Sequence, residues 1–128
     1  ASRPITIVFD TLEPEWCFGL TDQPSCDCRA PDDCRIPFSH DLTIVPTGYQ
    51  TVQGTRTEYS DVALAAAPAT LRFEPSRGVR DDTGFPVETI ILTSPRGLES
   101  RVVVNPIGRV ATCSPAGSTY VIGMKPCP

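Results

Sequence analysis

Residues Val87 to Cys113 read VETIILTSPRGLESRVVVNPIGRVATC, and this stretch decides the fold. Val87–Thr93, Arg101–Asn105 and Arg109–Thr112 are apolar or alternating runs rich in β-branched and aliphatic side chains, which fit a pleated, half-buried surface. Between them stand Ser94-Pro95-Arg96-Gly97 and Asn105-Pro106-Ile107-Gly108. In each, Pro presets φ early in the turn and Gly accepts a positive φ late in it. Short strands joined by tight turns pair with their sequence neighbours, so an antiparallel meander is expected. Val102-Val103-Val104 offers apolar side chains to both faces, as a central strand covered on two sides does. The sequence supplies no helix to cover the second side.

Working outward, Leu71–Glu74 before Pro75-Ser76-Arg77-Gly78, and Tyr120–Ile122 after Ser114-Pro115-Ala116-Gly117, extend the meander to about residues 71–128. Pro4–Asp10 (PITIVFD) reads as a strand, as does Asp41–Val45 ahead of Pro46 and Gly48, with Thr51–Thr57 and Asp61–Ala65 as further short candidates. Ala63–Ala69 has helical propensity, but Pro68 interrupts it, so extended structure is expected to lead into Leu71. Thr11–Arg35 carries four Cys, three Pro and eight charged residues without periodicity. It reads as a disulfide-stapled loop excursion of about residues 11–35.

The chain has 128 residues with 14 Pro and 9 Gly, enough for one domain and one core. No segment longer than about 13 residues escapes both breakers, which excludes an all-α fold. The expected class is mainly β, a single domain over 1–128 built of antiparallel sheets. No run approaches the roughly 18–20 apolar residues of a membrane span, and Ala1 does not open a signal peptide.

The formal charge is −4, whereas a domain that binds nucleic acid through phosphates usually carries a basic surplus. The distribution is uneven: ten acidic and four basic residues through Asp61, five acidic and seven basic from Val62 onward. Ten of the eleven basic residues are Arg, which favours fixed bidentate pairing. Arg77, Arg80, Arg96 and Arg109 lie at turns and are the candidates for phosphate contact. Arg72 and Arg101 are expected in strands, facing solvent or pairing with Glu74, Glu88 and Glu99 across the sheet.

Six Cys, four between Cys17 and Cys34 and two near the end, read as a disulfide framework made in an oxidising compartment. Cys113 and Cys127 are the favoured pair. Cys17, Cys26, Cys28 and Cys34 then pair among themselves, though not Cys26 with Cys28, whose ring would be strained. The competing zinc reading of those four, with His40, lacks the C-x2-C knuckle spacing of structural zinc. Trp16 is expected to cover a disulfide.

Catalytic chemistry lacks raw material: there is no phosphate-cradling glycine loop, no G-x-S-x-G elbow and no paired His at metal spacing. Ser39-His40-Asp41 contains the residue types of a triad, but adjacent strand residues point to alternate faces. Asp32-Asp33 and Asp81-Asp82 do not fit a calcium loop. A non-enzymatic chain without cofactor or metal is expected.

TLRFEPSRGVR (70–80), VETIILTS (87–94) and RVVVNPIGRVATCSP (101–115) resemble the C-terminal half of the GspH/FimT family of minor type IV pilins and pseudopilins. EWCFG (15–19) inside a Cys-rich loop is similar to its FimU-like members. The resemblance covers Val62 onward, and Pro4–Cys34 more loosely. It implies an α+β pilin head from which most of a long N-terminal helix is absent, so the chain is expected to be a soluble ectodomain with Ala1-Ser2-Arg3 as the end of that helix. It further implies an inner-membrane anchor, a periplasmic head assembled into an extracellular pilus, and a role in the tip or priming complex with other minor pilins and the major pilin. Without the helix, the isolated head is expected to be monomeric. The alternatives within the family are a GspH-type pseudopilin of type II secretion and a FimT-like DNA receptor. The DNA-binding branch uses a G-R-x-R element that here reads Gly108-Arg109-Val110-Ala111, so its second Arg is missing and DNA binding is disfavoured. Partner docking is expected instead on the excursion from Trp16 to Arg35, where Asp22, Asp27, Asp32 and Asp33 give an acidic surface.

Overall fold

The computed structural model describes residues 4–12, 15–38, 48–59, 61–74, 79–80 and 87–128. The expected strand at Asp41–Val45, Ser39, His40, Asp81, Asp82 and Arg77 with its turn lie outside them. The described residues form ten strands and one 3-10 turn, Arg56–Tyr59. The strands are β1 Ile5–Asp10, β2 Cys17–Thr21, β3 Arg35–Phe38, β4 Gly48–Thr51, β5 Gln53–Thr55, β6 Ala63–Ala66, β7 Thr70–Phe73, β8 Glu88–Thr93, β9 Glu99–Val104 and β10 Val110–Cys113.

Two four-stranded antiparallel sheets result, β5-β2-β1-β7 and β10-β9-β8-β6, with β3-β4 as a separate ribbon. The class is therefore mainly β with antiparallel sheets. The decisive stretch folds as its turn chemistry requires. In the β9–β10 turn, Asn105 Oδ1 accepts from the Ile107 and Arg109 amides at 3.2 and 2.9 Å, and Gly108 takes a φ of 86°, where an L side chain would be strained.

Three expectations are corrected. The meander holds for β8, β9 and β10, but β7 leaves it: Leu71 pairs with Ile7 of β1, and β6 takes the place beside β8. The crossover is short because the Phe9 amide bonds Ala69 O at 2.9 Å, which brings the chain onto the first sheet directly after β6. The excursion is not wholly irregular, since Cys17–Thr21 forms β2 with strictly alternating burial. Tyr120–Ile122 is no strand. The Tyr120 amide bonds Gly117 O and the Met124 amide bonds Val121 O, so two successive turns replace the ladder and leave Ile122 93% exposed.

Strand periodicity then separates two apolar layers. On one face of the β1–β2 pair, Ile7 stands opposite Leu20 and Phe9 opposite Phe18; on the other, Thr6, Val8 and Asp10 meet Thr21, Gly19 and Cys17. The first face joins the main cluster with Trp16, Leu64, Leu71, Ile90 and Val104. The second is covered by the excursion, whose Cys26, Cys28 and Cys34 pack with Val8 and Cys17. Val102-Val103-Val104 is central in its sheet as expected, although of the three only Val104 is buried.

The disulfides are Cys17–Cys28, Cys26–Cys34 and Cys113–Cys127, so the zinc reading is overturned: its four thiolates are all consumed. The C-terminal bridge is the one favoured from spacing. Gly19 is indispensable beneath the second bridge, because a Cβ there would lie 2.3 Å from Cys34 Sγ and 2.6 Å from Cys34 Cβ. Gly19→Ala is expected to destabilise the domain by about 1–3 kcal/mol, as overpacking does, and to leave a fraction with free thiols at Cys26 and Cys34. Thermal unfolding with thiol counting checks this; an unchanged melting temperature and a full set of disulfides would refute it.

Candidate functional site: an open apolar groove

Sheet register places the apolar faces of the two sheets towards each other without closing the space between them. The first sheet contributes Ile7, Phe9, Phe18 and Leu20; the second contributes Leu64, Ile90, Leu92 and Val102, with Ile90 directly opposite Val102 and Leu64 opposite Leu92. Together with Trp16, Tyr59 and Val62 they line a cavity of about 450 Å³. Among the described residues no charged side chain lines it.

Its floor is fixed by Trp16. That indole is 4% exposed, its Nε1–H donates to Val62 O at 2.7 Å, and its ring stacks on Tyr59 with centroids 5.9 Å apart. The expectation that Trp16 covers a disulfide is thereby corrected. Trp16 joins the groove cluster while its neighbour Cys17 joins the cystine cluster on the opposite side, since consecutive residues of an extended chain face opposite ways. A concave groove lined by apolar side chains is a candidate binding feature.

Among the described residues, those singled out by charge are not brought together. Arg96 and Arg109 lie in the turns at opposite ends of β9, separated by its six residues, roughly 20 Å at strand rise. Arg80 is only 9% exposed and bridges Phe73, which withdraws it from a phosphate surface. Arg101 Nε pairs with Glu99 Oε2 at 2.5 Å, two residues back along its own strand and not across the sheet as expected.

The acidic residues of the excursion are engaged in hydrogen bonds, Asp27 and Asp33 with its own backbone and Asp22 and Asp32 with neighbouring side chains. Asp33 Oδ2 accepts from the Asp27 amide at 2.6 Å, and Asp27 Oδ1 from the Arg29 amide at 2.9 Å. Asp32, at a φ of 57°, accepts from Thr51 Oγ1 at 3.0 Å, and Asp22 accepts from Gln23 Nε2 at 3.3 Å. The two bonds to backbone amides are the local caps that Asp supplies in turns. A further ion pair ties the excursion to β1: Arg29 Nε donates to Asp10 Oδ2 at 2.8 Å. That bond, with the Leu12 amide on Oδ1, holds the Asp10 carboxyl below the usual carboxylate range.

All six cysteines are bridged, and among the described residues no three His, Cys, Asp or Glu side chains gather as a metal site. No protein-family model, curated protein or solved structure matches the chain.

Sequence reasoning did not anticipate the groove. Its signal lies in matched alternation, Ile7 and Phe9 against Phe18 and Leu20, but the second pair is embedded in the Cys-rich segment and shows only once the register is known. With the arginines dispersed, duplex DNA is expected to bind no more tightly than non-specific complexes, with dissociation constants of about 10⁻⁴–10⁻⁶ M at physiological salt. Fluorescence anisotropy against salt checks this. A tighter complex that Arg109→Ala abolishes would contradict it.

Proposed function

We propose that this chain is the head of a non-enzymatic structural subunit, a FimU-like minor pilin acting in the tip or priming complex of a type IV pilus. The observation that carries the reading is the open groove, in which two sheets each leave an apolar face uncovered across the same space. One apolar stripe of an amphipathic helix laid between them would complete both sheets at once. The GspH/FimT resemblance implies such a helix. β1 begins at Ile5 and carries Ile7 and Phe9 into the groove wall, so a helix joined ahead of Pro4 enters beside its own receptor.

In the full-length subunit that helix anchors the protein in the bacterial inner membrane before assembly, with the head in the periplasm. Three disulfides suit that oxidising compartment. Assembly joins other minor pilins and the major pilin head to tail, by surface complementarity and without chemistry. The dispersed arginines and Ala111 in the G-R-x-R position favour this over a DNA receptor.

Leu20→Asp combined with Val102→Asp places a charge on each wall of the groove. In the producing bacterium, the full-length double variant is expected to lose surface pili while the head keeps its disulfides and its circular dichroism. Normal piliation would contradict the reading. Normal pili with failed protein secretion would move the subunit to a secretion pseudopilus.

A further inference from the structure

β10 is an outer strand of the second sheet, and its free edge has a defined length. The Asn105 amide bonds Arg109 O at 3.0 Å, and Ala111 stands opposite Val103 and Cys113 opposite Arg101. The alternation of an antiparallel ladder then turns the N–H and C=O of Val110, Thr112 and Ser114 away from the sheet. At Ser114 those groups are used: its amide donates to Lys125 O and its carbonyl accepts from the Cys127 amide, both at 2.9 Å. The tail is held there by Cys113–Cys127. Among the described residues no hydrogen bond reaches Val110 or Thr112 from the open side. Val110, Ala111 and Thr112 are all exposed, Val110 by 56%.

We propose that a second copy of this chain adds at this edge, β10 pairing antiparallel with its counterpart about a two-fold axis through Ala111. The open ladder is self-complementary in that register alone. Val110 then exchanges both bonds with Thr112 of the partner subunit, and Thr112 with Val110 of the partner subunit, so every open group finds a partner. A shift of two residues brings only one of the two residues into a pair. The tail at Ser114 blocks extension at one end. At the other, the Asn105–Gly108 turn leads the chain back towards β9 and away from the added strand. The strand carries no charge from Val110 to Cys113, and Arg109 comes across from a cysteine, so no like charges meet. The β10-β9-β8-β6 sheets of the two copies, four strands each, become one continuous sheet of eight.

The ladder is short, so the pair belongs with weak, transient interfaces. The head is monomeric at micromolar concentration and pairs as it approaches about 1 mM, in the weak range of association. This inference does not rest on the pilin reading, and it concerns a different surface from the groove.

Ala111 is exposed and meets Ala111 of the partner subunit at the axis, which gives a charge-swap test. Sedimentation equilibrium and amide shifts of Val110 and Thr112 are followed from about 10 μM to 1 mM, for the wild type, for Ala111→Glu, for Ala111→Lys and for an equal mixture of the two variants. Wild type is expected to dimerise, each variant alone to bind itself several-fold more weakly, and the mixture to recover association. Thr112→Pro removes an amide that β9 does not use, an edge position where proline is tolerated, and should abolish pairing with the fold intact. No association at 1 mM, association that all the variants share, or open-ended growth beyond a dimer would each overturn the proposal.

Discussion

The contact on which the rest of the structure depends is that of the Cys26–Cys34 bridge against Gly19 in the middle of β2. Only hydrogen at that position lets sulfur lie on the strand. Once the bridge is seated, with Cys17–Cys28 beside it, one face of the β1–β2 pair is sealed by cystine and Val8. A cystine layer this thin does the work that a second sheet or a helix would do in a larger domain. Strand alternation then leaves Ile7, Phe9, Phe18 and Leu20 no choice but the other face. That face meets the second sheet and, with it, makes the groove.

This arrangement divides labour between covalent and apolar packing. The excursion is closed over its own sheet by disulfides, by carboxylate caps on backbone amides and by Arg29 on Asp10. Its order therefore does not depend on whatever occupies the groove. The groove side is anchored at its floor by buried Trp16, Leu64 and Ile90, while its walls are only half-buried. A domain built in this way keeps its shape whether or not the groove is occupied. At the C-terminal end Ser114 has a comparable role: fully buried, it donates from Oγ to Glu99 O and accepts there from the Val121 amide, while its backbone holds Lys125 and Cys127.

Much of the sheet structure was legible because strands and turns are local. The run from Val87 to Cys113 showed its period and its Pro and Gly punctuation, and it folded accordingly. Cys113 with Cys127 followed from the lack of nearer partners. What escaped was non-local. Nothing in TLRF reveals that β7 pairs with β1 and not with its sequence neighbour, since both partners offer equivalent apolar faces. β2 was hidden because Cys and Gly break the apolar alternation that marks a strand, although in the fold they are the buried residues of its closed face. Tyr120-Val121-Ile122 has strand propensity, yet Ser114 and the C-terminal bridge force the chain to turn there. Adjacency to Cys17 points Trp16 towards a disulfide, but strand alternation turns it to the opposite side. Arg96 and Arg109 do stand at turns, but turns at opposite ends of one strand do not converge, and Arg80 is drawn into a bridge with Phe73.

The proposed function requires the groove between the sheets to receive a helix joined ahead of β1. Methyl and aromatic NMR on a chain extended ahead of Ala1 by the helix that the proposal calls for is the direct test. The account predicts cross-relaxation from that helix to Ile7, Leu20, Leu92 and Val102, with slowed exchange of the Trp16 indole proton. Groove methyls that keep the shifts of the isolated head, beside a helix that touches some other face, would contradict it.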